Sequence, residues 1–420
     1  MERQEQRTGN EWRVHRAAEP EFLKRRIDWY YRERVEKTWS GGHIMRGRTP
    51  GDDAVVLMSN DYLSIAGHEA ILEAQAATVR REGNGLLMSG VFLHGDNPQL
   101  ALERRLAAWL GSGATVLCQS GWCANTGLIQ VIADESVPVY VDMFAHMSLH
   151  EGIASSGATP YPFRHNDVEC LERMIRRHGP GVVLIDSVYS TDGSIAPIEE
   201  IVRVGNEHGC VLVVDESHSL GTHGETGEGL VPALGLTDRV HFRTASLAKA
   251  FAGRAGLITC TERFADYFRS TSRPAIFSST LLPHEVAGFE ATLRVIRSEG
   301  WRRVRLRRNT AYLRGQLGLL GYNVHEGEAQ IIALEAGTEP NTIVLRDALE
   351  ARGVFGSVFC APATPAKRSL IRLSVNAGLS MRQLERVVAV CAAIRDEVGM
   401  AEWPSTRRLS RCFDRRRRAG

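Results

Sequence analysis

The chain has 420 residues, of which 43% are hydrophobic and 24% charged, with 40 glycines and a formal net charge of +2. This is the composition of a globular α/β protein with room for two or three domains of about 150 residues each. The small net charge gives no general attraction to nucleic acid or to an acidic partner, and the longest apolar runs, such as Val182-Val183-Leu184-Ile185, have strand length and fall short of a membrane span.

The first twenty residues are charged and carry no apolar signal core, so a cytoplasmic protein is expected. The eight cysteines are scattered without a Cys-x-x-Cys pair and are expected to stay reduced. His146 and His150 have the i, i+4 spacing of a zinc helix, but Met147 stands where such a helix carries its glutamate, so no metal is expected.

In chain order, an N-terminal segment (1–51) begins with an amphipathic helix marked by Phe22, Ile27, Trp29, Tyr30 and Val35. A Gly-Gly turn and a basic loop follow, and the segment is expected to pack on the body. From 52 to 290 apolar runs alternate with helical patterns: Ala114 to Cys118, Val137 to Val141, Val182 to Ile185, Val211 to Val214 and Val240 to Arg243. Such alternation predicts a large domain built on a mainly parallel sheet with helices on both faces.

An arginine-rich helical stretch from Ala287 past Leu313 leads into a smaller α+β domain (291–400). Its strand-like runs are Gln330 to Leu334, Val354 to Val358 and Ile371 to Val375, with helical patterns at 341–351 and 381–397. The remaining residues, 401–420, end in Arg415 to Arg418 and read as a solvated, disordered basic tail. No internal repeat is present.

The chemistry gathers where apolar strands end. In an open parallel sheet ligands sit beyond the carboxyl ends of strands, and Asp215 closes the run Val211 to Val214. The run Thr244-Ala245-Ser246-Leu247-Ala248-Lys249-Ala250-Phe251 then supplies a lysine among small and apolar neighbours. This acid and lysine are what pyridoxal 5'-phosphate (PLP) chemistry requires. The lysine holds the cofactor as a Schiff base, and the acid keeps the pyridine nitrogen protonated, so that the ring accepts electrons from a carbanion.

Burial of Lys249 would disfavour its ammonium form and make the amine a better base. His218, three residues after Asp215, is placed to meet the cofactor's phenolic oxygen. Ser120-Gly121-Trp122 opens a helix after a strand, so the amides of Gly121 and Trp122, with the Ser246 hydroxyl, suit a phosphate. Gly221 to Gly229 lacks the lysine of a nucleotide-binding loop and reads as a flexible turn near the site.

Five motifs together resemble the α-oxoamine synthase family of PLP enzymes over nearly the whole chain. They are Ser59-Asn60-Asp61-Tyr62-Leu63, Ser120-Gly121-Trp122-Cys123-Ala124-Asn125, Asp186-Ser187-Val188-Tyr189-Ser190-Thr191-Asp192-Gly193, Asp215-Glu216-Ser217-His218 and the Lys249 segment. The resemblance implies a fold-type I PLP-dependent transferase. Its large domain would hold a mainly parallel seven-stranded sheet between helices, with a smaller α+β C-terminal domain. It implies that Lys249 binds the cofactor and removes the amino acid's α-proton, that Asp215 holds the pyridinium, and that His218 contacts the phenolic oxygen.

By the same resemblance His146 stacks on the ring, and Ser120, Gly121, Trp122, Ser187 and Ser246 join the cofactor contacts. Ser279 and Thr280 would reach the phosphate of a partner subunit in a homodimer with shared active sites. Asn60, Tyr62 and Arg372 are the substrate-binding candidates.

Within the family, Asp-Glu-Ser-His in place of Asp-Glu-Ala-His, the Lys249 segment and the run Trp39-Ser40-Gly41-Gly42-His43 are most similar to the α-hydroxyketone quorum-sensing autoinducer synthases. Those join a medium-chain acyl-CoA to 2-aminobutyrate or S-adenosylmethionine; the alternative is a metabolic member using glycine, serine or alanine. Two departures stand out. Leu370 replaces the first arginine of the family's Arg-x-Arg pair, leaving Arg372 as the candidate for the substrate carboxylate. Gln99 replaces a histidine ahead of Leu102-Glu103. Both changes are expected to reshape the amino-acid pocket.

Overall fold

The computed structural model describes residues 18–409, which part into two compact units between Arg46 and Gly47. In the first, the expected helix runs over Glu21–Trp29 and continues as a wider turn over Tyr30–Thr38. The Tyr30 hydroxyl lies 2.7 Å from His43 Nε2, and the Tyr30 ring meets Trp39 edge-on at 6.0 Å.

The second unit carries two sheets. Its strands are β1 (Val55–Leu57), β2 (Ala114–Cys118), β3 (Pro138–Asp142), β4 (Thr159–Phe163), β5 (Val182–Asp186), β6 (Val211–Asp215), β7 (Phe242–Ser246), β8 (Gly256–Cys260), β9 (Ile331–Gly337), β10 (Val354–Phe359) and β11 (Ser369–Ser374). Seven form one sheet in the order β2-β8-β7-β6-β5-β3-β4. Within it β8 runs antiparallel to both neighbours, and the remaining pairs are parallel.

The alternation of strand side chains builds two cores, one on each face. Val213 and Leu184 point to the face covered by helices Gly121–Ile132 and Met147–Ser156. Their neighbours Leu212, Val214 and Val183 point to the face covered by Val168–His178 and Ile198–Glu207. Strands buried on both faces are apolar throughout, which is why these runs stand out in the sequence.

The smaller sheet, β1-β10-β11-β9, differs from expectation in one respect. Val55–Leu57 falls within the range expected for the large domain, but it pairs in parallel with Val354–Gly356. A strand near the amino end thus completes the C-terminal sheet, and one apolar cluster runs from Leu57 through Leu247 and Phe289 to Leu373 and Trp403.

Residues 401–409, expected to belong to a disordered basic tail, are ordered. Met400–Glu402 forms a tight turn, Trp403 is 2% exposed, and residues 404–409 are helical. Burying a large aromatic ring there stabilises by about 2 to 3 kcal/mol, enough to hold the segment down. The run Arg415 to Arg418 lies outside the described residues. No helix among the described residues is long and apolar enough to cross a membrane.

Candidate active site

The carboxyl ends of β2, β3, β5, β6 and β7 converge, and each delivers a polar group at its end or just past it: Ser120, Asp142, Asp186, Asp215 and Ser246. Asp215 is 5% exposed, and its carboxylate accepts from Asn125 Nδ2 at 2.7 Å and from the Ser217 amide at 2.8 Å. The same Asn125 nitrogen lies 2.8 Å from Ser148 Oγ, which in turn lies 2.8 Å from His146 Nδ1. Asp215 and His146 are therefore joined by a buried relay through Asn125 and Ser148. Neither of these two is among the site residues expected from the sequence.

Lys249, half-buried, follows β7 in a turn where its carbonyl accepts from the Ala252 amide at 2.9 Å. Ala252 takes the left-handed conformation (φ 51°), which costs a non-glycine residue about 1 kcal/mol and marks a turn held by its surroundings. Burial lowers the pKa of Lys249; Asp215 opposes this and Arg372 adds to it.

His218 is held well below its usual pKa by burial and by the charges of Lys249, Arg372 and His146. Its Nδ1 lies 2.7 Å from the hydroxyl of Tyr62, which is fully buried. That bond leaves Nε2 as the nitrogen free for the cavity. The His146 ring is open to the cavity, yet enough protein surrounds it for burial to lower its pKa, with Asp215 opposing and Lys249 reinforcing. Trp122 stands edge-on to it at 6.3 Å.

A cavity of about 480 Å³ collects Asn60, His146, His218, Lys249 and Arg372 in its lining. Arg372 donates to Ser190 O and to Asn60 Oδ1, both at 2.9 Å, and lies 4.5 Å over the Phe359 ring. Its Nε is buried without a hydrogen-bond partner. A buried guanidinium in the cavity lining suits a carboxylate.

A second cluster forms the turn into helix Gly121–Ile132. The Ser120 hydroxyl accepts from the Cys123 amide at 3.1 Å, which leaves the amides of Gly121 and Trp122 at the open helix end. A Cβ on Gly121 would lie 2.6 Å from Ser246 Cβ, so only glycine lets this turn sit against β7. Ser246 donates its amide to Ser217 Oγ at 2.7 Å, tying the phosphate candidates to the strand that ends in Asp215.

Three candidates sit elsewhere. Ser187 is fully buried behind Asp215, donating to the Asp215 carbonyl at 3.0 Å and paired with Ser219 Oγ at 2.8 Å. Ser279 is exposed and bridges Ser89, with its carbonyl bonded to Gln119 Nε2, and Thr280 donates its amide to Met88 O at 2.8 Å. Ser279 thus lies beside the Gln119-Ser120 turn.

Gln99 does not line the cavity. It is buried between Glu103 and the Leu281 amide, 3.2 Å from each, and anchors the segment that carries Thr280. Nor is the Gly221 to Gly229 turn loose. Glu228 accepts from the Thr226 amide and hydroxyl, both at 2.8 Å, and Glu216 accepts from the Val231 amide at 2.9 Å.

The profile of the family described as aminotransferase class I and II matches residues 52–390. The CAI-1 autoinducer synthase of Vibrio campbellii is 46% identical over 372 residues, 89% of this chain and 94% of that protein. The chain belongs to this family. It lies in the α-oxoamine synthase branch: an 8-amino-7-oxononanoate synthase of Geobacter metallireducens is 32% identical over 86% of this chain and 94% of its own length. A serine palmitoyltransferase from S. paucimobilis, solved with bound PLP and myriocin, superposes with a TM-score of 0.81 at 25% identity, covering 90% of this chain and 98% of the other.

The protein is a PLP-dependent acyltransferase with the fold-type I architecture, and its site fits the cofactor on its own terms. Asp215 is an acceptor for a ring nitrogen, Lys249 is a half-buried amine, and Gly121, Trp122 and Ser246 form an open cradle for a phosphate.

Proposed function

We propose that the protein condenses a medium-chain acyl-CoA with 2-aminobutyrate or S-adenosylmethionine and releases an aminoketone precursor of an α-hydroxyketone autoinducer. The observation that carries this reading is the gap in similarity: 46% identity to the CAI-1 autoinducer synthase against 32% to the 8-amino-7-oxononanoate synthase, over comparable shares of the chain. Leu370 in the cavity lining, where many family members carry an arginine, supports an amino-acid pocket unlike that of glycine users.

When bound, PLP supplies the electron sink that stabilises negative charge at the amino acid's α-carbon. The protein's own groups do the rest. Arg372, in the cavity lining, takes the carboxylate, and Asp215 offers a carboxylate partner to the cofactor's ring nitrogen. Lys249, its basicity lowered by burial, accepts the α-proton. His218, neutral and held by Tyr62, offers a hydrogen bond without adding charge. The α-carbon bonds to the acyl carbonyl carbon, the thioester C–S bond breaks and the CoA thiol leaves. The carboxylate then departs as carbon dioxide and the α-carbon takes a proton back.

The reading includes a cytoplasmic homodimer in which Ser279 and Thr280 serve the partner's phosphate site. The test is mass spectrometry of products from the PLP-loaded protein given decanoyl-CoA with each of 2-aminobutyrate, S-adenosylmethionine, glycine, serine and alanine. A long-chain aminoketone from either of the first two is the expected result. Turnover only with glycine, serine or alanine would assign the protein to the metabolic members instead.

A further inference from the structure

One of the contacts in the lining of the active-site cavity joins a residue after a strand of the large sheet to a residue before a strand of the small one. Phe144 follows β3 of the large sheet, Arg368 immediately precedes β11 of the small one, and the Arg368 guanidinium lies 5.3 Å over the Phe144 ring. Both residues line the cavity. Neither is left to find its own position. The other side of Phe144 stacks on His165 at 4.3 Å with the rings 17° from parallel, and His165 is fixed by buried Asp142 at 2.9 Å and by Ser194 at 3.0 Å.

On the opposite side, Arg368 donates through Nε and Nη2 to a single oxygen of Glu335, at 3.0 and 2.8 Å, and Nη2 also reaches the more exposed Glu326 at 2.9 Å, a carboxylate that Arg408 approaches at 3.4 Å. Glu335 lies on β9, is 5% exposed, and is held from behind by Arg408, which reaches both of its carboxylate oxygens at 3.0 and 2.9 Å. Arg408 belongs to the segment after Met400, which is riveted to the same strand. Trp403 is buried against Tyr322, Ser405 Oγ donates to the Glu335 carbonyl at 2.5 Å, and Asn323 bonds the Ser405 carbonyl at 3.1 Å.

We propose that Arg408 is a positioning residue for the active site: through Glu335 it holds Arg368 in the cavity lining, against Phe144, so that the segment after Met400 sets the shape of the substrate cavity. A carboxylate shared by two guanidinium groups fixes a long, flexible arginine in one rotamer, because several directed donors converge on two acceptor oxygens that cannot move. Glu335 is held ionised in spite of its burial, because Arg408 and Arg368 outweigh desolvation and keep its pKa below the usual range. The wall that Arg368 anchors includes Ala363, Thr364 and Pro365, all in the cavity lining, and the Arg368 amide itself donates to Pro365 O at 2.9 Å. Loss of Arg408 would loosen this wall without touching any group assigned to the cofactor.

The substrate arm of the test rests on the proposed acyl-CoA chemistry, while the exchange arm needs no substrate, so the two can fail separately. Hydrogen exchange is measured on the PLP-loaded full chain as wild type, Arg408→Ala, Arg408→Lys and Glu335→Gln, with KM and kcat for whichever amino acid the wild type uses. Arg408→Ala and Glu335→Gln are expected to speed exchange at the amides of 363–368 and to raise KM about fivefold while kcat stays within about twofold, the size of a modest coupling. Arg408→Lys, which keeps the charge, is expected to recover part of the loss. Unchanged exchange at 363–368 in both substitutions would overturn the proposal. So would a loss of melting temperature and kcat with KM unmoved, which is the pattern of a merely structural tie.

Discussion

The hydroxyl of Tyr62 lies 2.7 Å from Nδ1 of His218, although 156 residues separate them in the chain. Both are nearly inaccessible to water, and burial raises the pKa of Tyr62 while lowering that of His218, so both partners are neutral at pH 7. Removing the hydroxyl as Tyr62→Phe leaves an imidazole nitrogen buried without its partner, at a cost of about 1 to 3 kcal/mol. The expected result is a fall in kcat/KM of about tenfold with cofactor still bound, because the free ring no longer presents Nε2 in one orientation. Steady-state kinetics beside a cofactor absorbance spectrum separates the two effects.

Asn125 is the residue whose importance the structure adds. Asn125→Ala would strip one donor from Asp215 and one contact from Ser148, both buried. Unfolding in urea is expected to show a loss of about 1 to 3 kcal/mol. PLP is expected to bind more weakly, since the relay that orients both Asp215 and His146 is cut.

Gly121→Ala tests the phosphate cradle. The new methyl would meet Ser246 Cβ at 2.6 Å, and either the turn or β7 must move. Overpacking of this kind costs about 1 to 3 kcal/mol, and here it falls on the amides assigned to the phosphate. Weaker PLP binding, measured by cofactor titration, should therefore exceed what the loss of melting temperature alone accounts for.

His223 offers a pH test away from the chemistry. Burial, with the charge of Arg307 adding to it, pushes its pKa down to about 4. Above about pH 6.5 the ring is neutral in the folded and unfolded chains alike. Below that, the unfolded chain takes up a proton that the folded one refuses, so this contribution to stability declines as the pH falls, at a limiting slope of about 1.4 kcal/mol per pH step of one. Relative to His223→Gln, the wild type should lose unfolding free energy between pH 6.5 and about 4 and none above it.

The sequence revealed most where strands are buried on both sides. Val182–Asp186 and Val211–Asp215 are unbroken apolar runs closed by an acid, and their ends mark the site. It failed at β4, whose run Thr159-Pro160-Tyr161-Pro162-Phe163 carries two prolines that a sheet edge tolerates and an inner strand does not. It failed also at β1, because a parallel partner some three hundred residues away leaves no local trace.

The β7 strand begins two residues later than the apolar pattern suggests, since Val240 is buried but lies in the approach to the strand. Of the site, the residues that end strands or carry charge were legible. Asn125 and Ser148 were not, because a buried hydrogen bond between helices has neither period nor spacing. Ser187 illustrates the reverse: its motif draws attention to it, and its hydroxyl is spent on Asp215 O and Ser219.

The proposed chemistry depends above all on Lys249 being the residue that carries the cofactor. Borohydride reduction of the PLP-loaded protein, followed by proteolysis and mass spectrometry, reads this directly. The predicted result is the reduced cofactor on the peptide containing Lys249 and its complete absence in Lys249→Ala, with the far-ultraviolet spectrum of the variant unchanged. Cofactor fixed to a different lysine, or retained in the folded Lys249→Ala variant, would contradict it.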